Sequence, residues 1–357
     1  MQMQTVQHDT RYRQDTHTQA DVSLVVTVRN EEHSIAPLMD SILAQTVRPA
    51  EVIIVDGGST DRTPHIVRAY SDLLPVKLIE KPGANISEGR NEGIRAASHD
   101  IIAVTDAGVR LDPHWLEALV KTLSGEGSCA DVAGGFFLPD PHSPFEVAMG
   151  ATVLPALEDV HPDTFLPSSR SVAFRRTAWA AVGGYPEWLD YCEDLVFNLR
   201  LKQNGCRFRF VPQAVVYFRP RSTLRAFFVQ YYRYARGDGK ADLWRGRHAI
   251  RYTAYTLGPL LALLAWRHRT SHWARPTAAL LLLAGAAYCR RPYMRLWPRL
   301  RGMPLPARLY ALALVPLIRL VGDVAKMVGY PVGVWWRLTG PGPGPGPQKP
   351  QTETGSS

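Results

Sequence analysis

An α/β fold with a mainly parallel sheet, followed by a basic helical region, is what the sequence predicts. Three observations carry this reading. From Asp21 onward, short apolar runs alternate with helical patterns. Acidic clusters stand at the ends of those runs, the edge at which open α/β sheets bind ligands. The charge is also split along the chain. Residues 1–244 carry 25 Lys and Arg against 30 Asp and Glu, whereas residues 245–337 carry 15 basic residues and one acid, Asp323. The 357 residues, 46% apolar and 20% charged, suit a folded chain of two or three domains. Cys129, Cys192, Cys206 and Cys289 lack paired spacing, which speaks against a disulfide scaffold, a zinc ribbon or a CxxC site.

Residues 1–20 are polar throughout, which predicts a disordered arm without the apolar core of a secretory signal. Strands are expected at Ser23–Val28, Glu51–Asp56, Val76–Glu80, Ile101–Thr105 and Asp131–Leu138, within an α/β domain spanning 21–244. Helices are expected to start near Ser34, Thr60, Ser87 and Pro113, with Ser34, Thr60 and Ser87 as N-caps. Glu193–Asn204 reads as a helix stopped by Gly205, followed by short strands at Phe208–Val211 and Ala214–Phe218. The aromatic and basic stretch Leu224–Tyr234 reads as a helix lying along a membrane surface.

The basic part of the chain, 245–337, is also its apolar part. Tyr252–Trp266 and Pro276–Cys289 carry no charge, and Met303–Ile318 carries only Arg308. Arginines punctuate these runs, as in segments facing anionic lipid, so membrane lipid rather than nucleic acid is the expected partner. The uncharged runs are short: 15 helical residues reach about 22 Å against roughly 30 Å of hydrocarbon. Spanning, re-entry and interfacial lodging are all compatible with that length. The repeated Gly-Pro of 338–357 predicts a solvated, disordered tail.

The first strand runs into Thr27-Val28-Arg29-Asn30-Glu31, the second into Asp56-Gly57-Gly58-Ser59, and the fourth into Asp106-Ala107-Gly108. Further on, Gly183-Gly184-Tyr185 precedes Glu193-Asp194. Asp56 before two glycines is also a plain turn former, and Glu193-Asp194 would suit a helix N-terminus on dipole grounds alone. No GxGxxG follows the first strand, which disfavours a dinucleotide-dependent dehydrogenase.

SLVVTVRNEE, EVIIVDGGSTD, GRNEGIRAASHDIIAVTDAG, the FRR…VGGYPEWLDYCEDLVFNLRLKQNG block and QYYRYARG resemble, in this order, the motifs of a family 2 glycosyltransferase of the GT-A fold. The resemblance covers about residues 21–240. It implies an inverting enzyme that takes sugar from a nucleotide-diphosphate donor, a UDP-sugar by preference. The implied acceptor is a hydroxyl on a lipid-linked or growing glycan, and the implied place is the cell membrane with the catalytic domain cytoplasmic. Direct transfer to polyprenyl phosphate, or a non-catalytic nucleotide-sugar scaffold, are the alternatives.

By the same resemblance Thr27, Glu31 and Asp56 would hold the nucleoside, and Arg90 the diphosphate. Asp106 would hold Mg2+ or Mn2+ against the phosphates. Asp194 would be the catalytic base with Glu193 beside it, Gly184 and Tyr185 would contact the acceptor, and Gln230, Arg233 and Tyr234 would cap the diphosphate and the acceptor sugar. The sequence departs from the family pattern in reading Asp-Ala-Gly where a second metal-binding acid is usual. It also lacks the His that many relatives carry near Tyr217. Arg219, Arg221 or Arg233 are candidates to supply the missing positive charge.

Overall fold

The computed structural model describes residues 18–125 and 127–340. Its centre is one eight-stranded sheet. In chain order the strands are β1 (Thr18–Val28), β2 (Val47–Asp56), β3 (Val76–Glu80), β4 (Ile101–Asp106), β5 (Val109–Leu111), β6 (Val132–Pro139), β7 (Val172–Arg175) and β8 (Phe208–Phe218). Their spatial order is β3-β2-β1-β4-β7-β6-β8-β5. β3, β2, β1 and β4 pair in parallel; β7 then runs antiparallel between β4 and β6, and β5 runs antiparallel against β8. β6 and β8 pair in parallel. The inner strands are near-continuous apolar runs because both faces of the sheet are covered: Val26 packs on one side and Val25 on the other.

Helices α1 (Ile35–Leu43), α2 (Thr63–Arg68), α3 (Ile86–Arg95), α4 (Trp115–Ser124), α5 (Pro144–Val153), α6 (Arg176–Ala181) and α7 (Glu193–Gln203) pack around it. α1, α2 and α4 cover one face, and α3, α6 and α7 the other. Four helices follow: α8 (Leu224–Lys240), α9 (Arg245–Arg267), α10 (Ala274–Leu296) and α11 (Leu305–Thr339).

Several expected boundaries move. Residues 18–20, read as part of the arm, extend β1 and pair with Val47–Pro49, while 1–17 and 341–357 lie outside the described residues. Phe208–Phe218 is one strand rather than two. β5 and β7 have three and four residues, too few for a period-2 pattern to show in the sequence. Thr60 starts no helix: its N–H donates to Asn30 Oδ1, joining the loop after β2 to the loop after β1, and α2 begins at Thr63. Ser87 lies inside α3; the cap is Asn85, which accepts from the Glu88 N–H while the Glu88 carboxylate accepts from the Asn85 N–H. Ser34 occupies the N-cap position of α1 without a side-chain cap bond, its hydroxyl turned to the Glu31 carboxylate.

The carboxy-terminal helices differ most from expectation. Among the described residues no helix is long and apolar enough to cross a membrane, so the expected transmembrane segment is absent. α11 shows why. Its buried residues Ala311, Leu314, Val315, Ile318, Gly322, Ala325, Gly329 and Gly333 recur at helical spacing. That stripe packs on the protein, where Leu314, Val315 and Ile318 share a core with Phe227 of α8 and Met149 of α5. α8 is therefore half of a helix pair and does not lie alone on a surface. Glycines bring the two backbones together: a Cβ on Gly329 would overlap the Tyr232 carbonyl, and one on Gly333 the Arg236 carbonyl. Apolar side chains of α9 and α10 stay exposed, with Leu282 76%, Leu283 67% and Trp266 71% exposed.

Candidate active site

A cleft of about 660 Å³ opens where β1 and β4 end, between α3, α7 and α8. It gathers Thr27 and Glu31 from β1 and its loop, Arg90 from α3, Asp106 from β4, Glu193 and Asp194 from α7, and Gln230 and Tyr234 from α8. Eight of the residues expected from the sequence thus meet in one place.

The floor is a buried charge network. Arg90 is 2% exposed and donates to Glu193 Oε1 at 2.6 Å and to Asp106 Oδ1 at 2.9 Å. Burial opposes its charge, but Glu193 and Asp106 outweigh burial and hold the guanidinium firmly protonated. Glu193 moves the other way. Burial first, and the neighbouring Asp194 charge, push its pKa up to about 7 against the pull of Arg90. The rise at Glu193 has a plain cause: two acids adjoin in a buried site whose one guanidinium is shared with Asp106. Arg90 thus lines the floor of the cleft with its guanidinium already engaged by two acids, Glu193 and Asp106.

α7 places Asp194 by a short-range device. Cys192 takes a left-handed φ of 65°, turning the chain so that Glu193 and Asp194 occupy the first helical turn. There the helix dipole favours acids, and Asp194 stands half-buried in the cleft wall with Oδ1 accepting from the Leu195 N–H. The preceding loop is pinned by Asn91, buried beside Arg90. Its Oδ1 accepts from the Tyr185 N–H at 2.8 Å and the Trp179 indole at 3.1 Å, and its Nδ2 donates to the Tyr185 carbonyl and to Glu187.

This pinning corrects two expectations. Gly184, at φ +76°, is packed so that a Cβ would meet Asn91 Oδ1 at 2.7 Å and Trp179 Nε1 at 2.8 Å. Tyr185 is buried, stacked on Phe197 with its hydroxyl against Ser169. Neither lines the cleft, where the expectation had placed both beside an acceptor. Asp56 is buried at the end of β2, where Oδ1 accepts from the Gly58 N–H, the Ser59 N–H and the Ser59 hydroxyl. It shapes the turn after β2, and its neighbours Val55 and Gly57 line the cleft. Arg233 sits exposed at the rim, donating to the Tyr191 hydroxyl.

Arg170 is the residue that sequence reasoning missed. It lines the cleft with Nε 3.5 Å from Asp106 Oδ2, its guanidinium over the Phe218 ring. Burial works against its charge, but Tyr234 and Asp106 outweigh this and raise its pKa. It stands just before β7, and β7 is antiparallel, so the start of that strand reaches the edge where β4 ends. A search of strand carboxyl ends passes over it.

The donor set at Asp106 does not fit a resident divalent cation. Its two oxygens face Arg90 and Arg170, and among the described residues no three His, Cys, Asp or Glu side chains group as a metal site. A dication there would sit against two guanidinium charges. Of the arginines considered for compensation, Arg219 is bound to the buried Glu146, whereas Arg221 lines the cleft beside Gln230.

Comparison with known proteins agrees with the geometry. Residues 23–143 match the family model Glycosyl transferase family 2, and residues 159–317 match Glycosyl transferase family group 2. The chain belongs to the family 2 glycosyltransferases. A validoxylamine A glucosyltransferase of Streptomyces hygroscopicus subsp. limoneus is 31% identical over 127 residues, which are 34% of this chain and 28% of that protein. A pre-mycofactocin glycosyltransferase of Mycobacterium tuberculosis is 28% identical over 269 residues, 69% of this chain and 52% of its own length. The chain thus spans only about a quarter to a half of the length of these curated relatives. A mannosyltransferase from Pyrobaculum calidifontis, solved with GDP-Man and Mn2+, shares the GT-A-like fold. It gives a TM-score of 0.50 at 21% identity, with 86% of this chain and 87% of that one covered.

Proposed function

We propose that this family 2 glycosyltransferase is an inverting enzyme that moves a sugar, a hexose or a close relative, from a nucleotide-diphosphate donor. UDP-sugar is the favoured donor, and the acceptor is a hydroxyl on a lipid-linked or growing glycan. The observation that carries this is the convergence of Asp194, Tyr234 and the donor-side residues Thr27 and Glu31 on one cleft. Asp194 takes the proton of the acceptor hydroxyl as its oxygen bonds to the anomeric carbon. The bond from that carbon to the diphosphate oxygen breaks on the opposite face, and its electron pair leaves with the nucleoside diphosphate. Arg170 and Arg221 answer the leaving charge from the cleft wall, with Arg233 at the rim. The relatives' printed activities, each a sugar transfer, support the same reading.

The exposed leucines of α10 and the arginines around them support work at an anionic membrane surface, with the catalytic domain on the cytoplasmic side. There a lipid-linked acceptor meets the cleft. The test is Asp194→Asn in the full chain. Transfer and donor hydrolysis should fall by about 10²–10⁴-fold while nucleotide affinity by calorimetry stays within about twofold. Unchanged turnover would favour transfer to a phosphate acceptor, which needs no base. An absence of nucleotide binding in the folded wild type would leave only a scaffold role.

A further inference from the structure

On the far side of α8 from the cleft, α5, α8, α10 and α11 line a smaller, partly open cavity of about 90 Å³. Gln230 and Tyr234 of α8 face the cleft, and Phe227 and Tyr231 face this cavity. Its polar wall holds Arg319, Lys326 and Asp323 of α11 and Tyr288 of α10. The charges do not balance. Asp323 is buried and already saturated: it accepts from Arg251 Nε at 2.8 Å, from the Tyr255 hydroxyl at 2.9 Å and from the Tyr288 hydroxyl.

Arg319 and Lys326 pair with no acid among the described residues. Arg319 Nε is buried without an acceptor, and its guanidinium lies 4.5 Å from the Tyr288 ring centroid. Lys326 Nζ lies 4.9 Å from that of Tyr231. The two cations are seven residues apart, two turns along one face of α11. With Arg251 spent on Asp323, two half-buried positive charges remain on the wall of a small pocket.

We propose that this cavity binds one phosphate-class anion, held between Arg319 and Lys326. Two unpaired cations in a space of this size match a phosphate dianion better than a singly charged carboxylate or halide. The same chemistry comes from a lipid phosphate or from free inorganic phosphate. Leu317, Leu320 and Val324, exposed on α11 beside the cavity residues, place apolar surface next to it, as a lipid headgroup site requires.

The crowding of positive charge shows in Lys326, whose pKa burial and then the Arg251 charge push down to about 8. The groups facing it are Arg319 and Asp323 on its own helix, Arg251 of α9, Tyr288 of α10, and Tyr231 and Asp238 of α8. Of these, only the two aspartates carry negative charge at neutral pH, and they offset the loss in part. An anion bound between the cations restores the lysine charge, so binding takes up a proton above about pH 8 and weakens as pH rises through that value.

The test uses the full chain with two probes: inorganic phosphate by calorimetry, and phosphatidylcholine vesicles with or without phosphatidic acid by co-sedimentation. Both are repeated in Arg319→Gln/Lys326→Met, with UDP binding as the control for an intact cleft. The proposal expects phosphate or phosphatidic acid to bind the wild type and the double variant to lose at least about tenfold in affinity. Binding of phosphatidic acid that free phosphate does not displace identifies the lipid as source, and binding of phosphate alone identifies a soluble anion. Equal binding by variant and wild type, or no binding of either probe, overturns the proposal. Should the variant not fold, proton uptake by the wild type on adding phosphate at pH 8.5 replaces it, and no uptake overturns it equally. The result stands apart from the fate of the sugar-transfer reading, which the cleft alone decides.

Discussion

At the scale of single residues, the cleft is organised by side chains that hold its walls in place. Arg90 and Asn91, neighbours on α3, divide the labour: one binds the acids of α7 and β4, and the other pins the loop that leads into α7. GRNEG is legible as a motif, but its roles are not, because a helical Arg in a sequence looks the same solvated or buried. Arg170 makes the sharpest prediction. If arginines replace a cation, UDP binds the full chain with equal affinity in excess chelator and in Mn2+, and Arg170→Ala weakens UDP by about tenfold while sparing uridine. Binding that requires Mn2+ would return the metal to Asp106. The Asp-Ala-Gly departure is not steric, since a Cβ on Gly108 would meet nothing within 4 Å.

Glu193 gives the pH dependence. Its carboxyl rises from 4.5 to about 7 in the fold, so its neutral form is the stabilising one. That stabilisation is complete below 4.5 and disappears as pH rises through 7. Thermal unfolding of Glu193→Gln should therefore gain on the wild type between those values and run parallel above. The reverse trend would mean that the Arg90 ion pair, not burial, sets the charge.

At the scale of elements, local rules hold wherever the local signal is strong. β3 matches its expected bounds, and α7 starts at Glu193 as expected and ends before Gly205, whose φ of +81° closes the helix. They fail where a neighbour supplies the bonds, as at Thr60, whose N–H goes to Asn30 instead of starting a helix. The glycines of α3 serve packing: a Cβ on Gly89 would meet Thr27 Cγ2 at 2.8 Å, and one on Gly93 would meet Val25 Cγ1 at 2.5 Å, so α3 lies tight on β1 and brings Arg90 to the cleft floor. The α8–α11 pair depends on the same device. Gly333→Ala should destabilise by about 1–3 kcal/mol in thermal unfolding, because its Cβ overlaps the fixed Arg236 carbonyl. Gly285→Ala in α10, where a Cβ meets nothing within 4 Å, should be neutral or stabilise by up to about 1 kcal/mol. Equal effects at the two sites would refute the packing account.

At the scale of the whole molecule, an acidic α/β half and a basic helical half are joined through α8, which lines the cleft with one face and packs on α11 with the other. On the proposed membrane reading, the exposed apolar residues of α9 and α10 are the membrane-facing surface. The full chain should co-sediment with anionic vesicles, less so at high salt as screening shortens the reach of its arginines. Leu282→Asp/Leu283→Asp should weaken this by at least tenfold, about what two lost leucine contacts imply, without changing UDP affinity. Vesicle binding indifferent to both salt and these substitutions would remove the membrane from the picture.

The chain's local patterns were enough to mark six of the eight strands and the acids at their ends. Alternating apolar runs and turn residues are properties of neighbouring positions, and parallel strands always present their ends at one edge. The structure alone decided three things: that β7 runs backward and delivers Arg170, that Tyr185 and Gly184 are buried, and that α11 turns its apolar stripe to α8 and α5. A helical stripe states that one face seeks cover; whether lipid or protein provides it depends on residues far away in the chain, and periodicity carries no record of them.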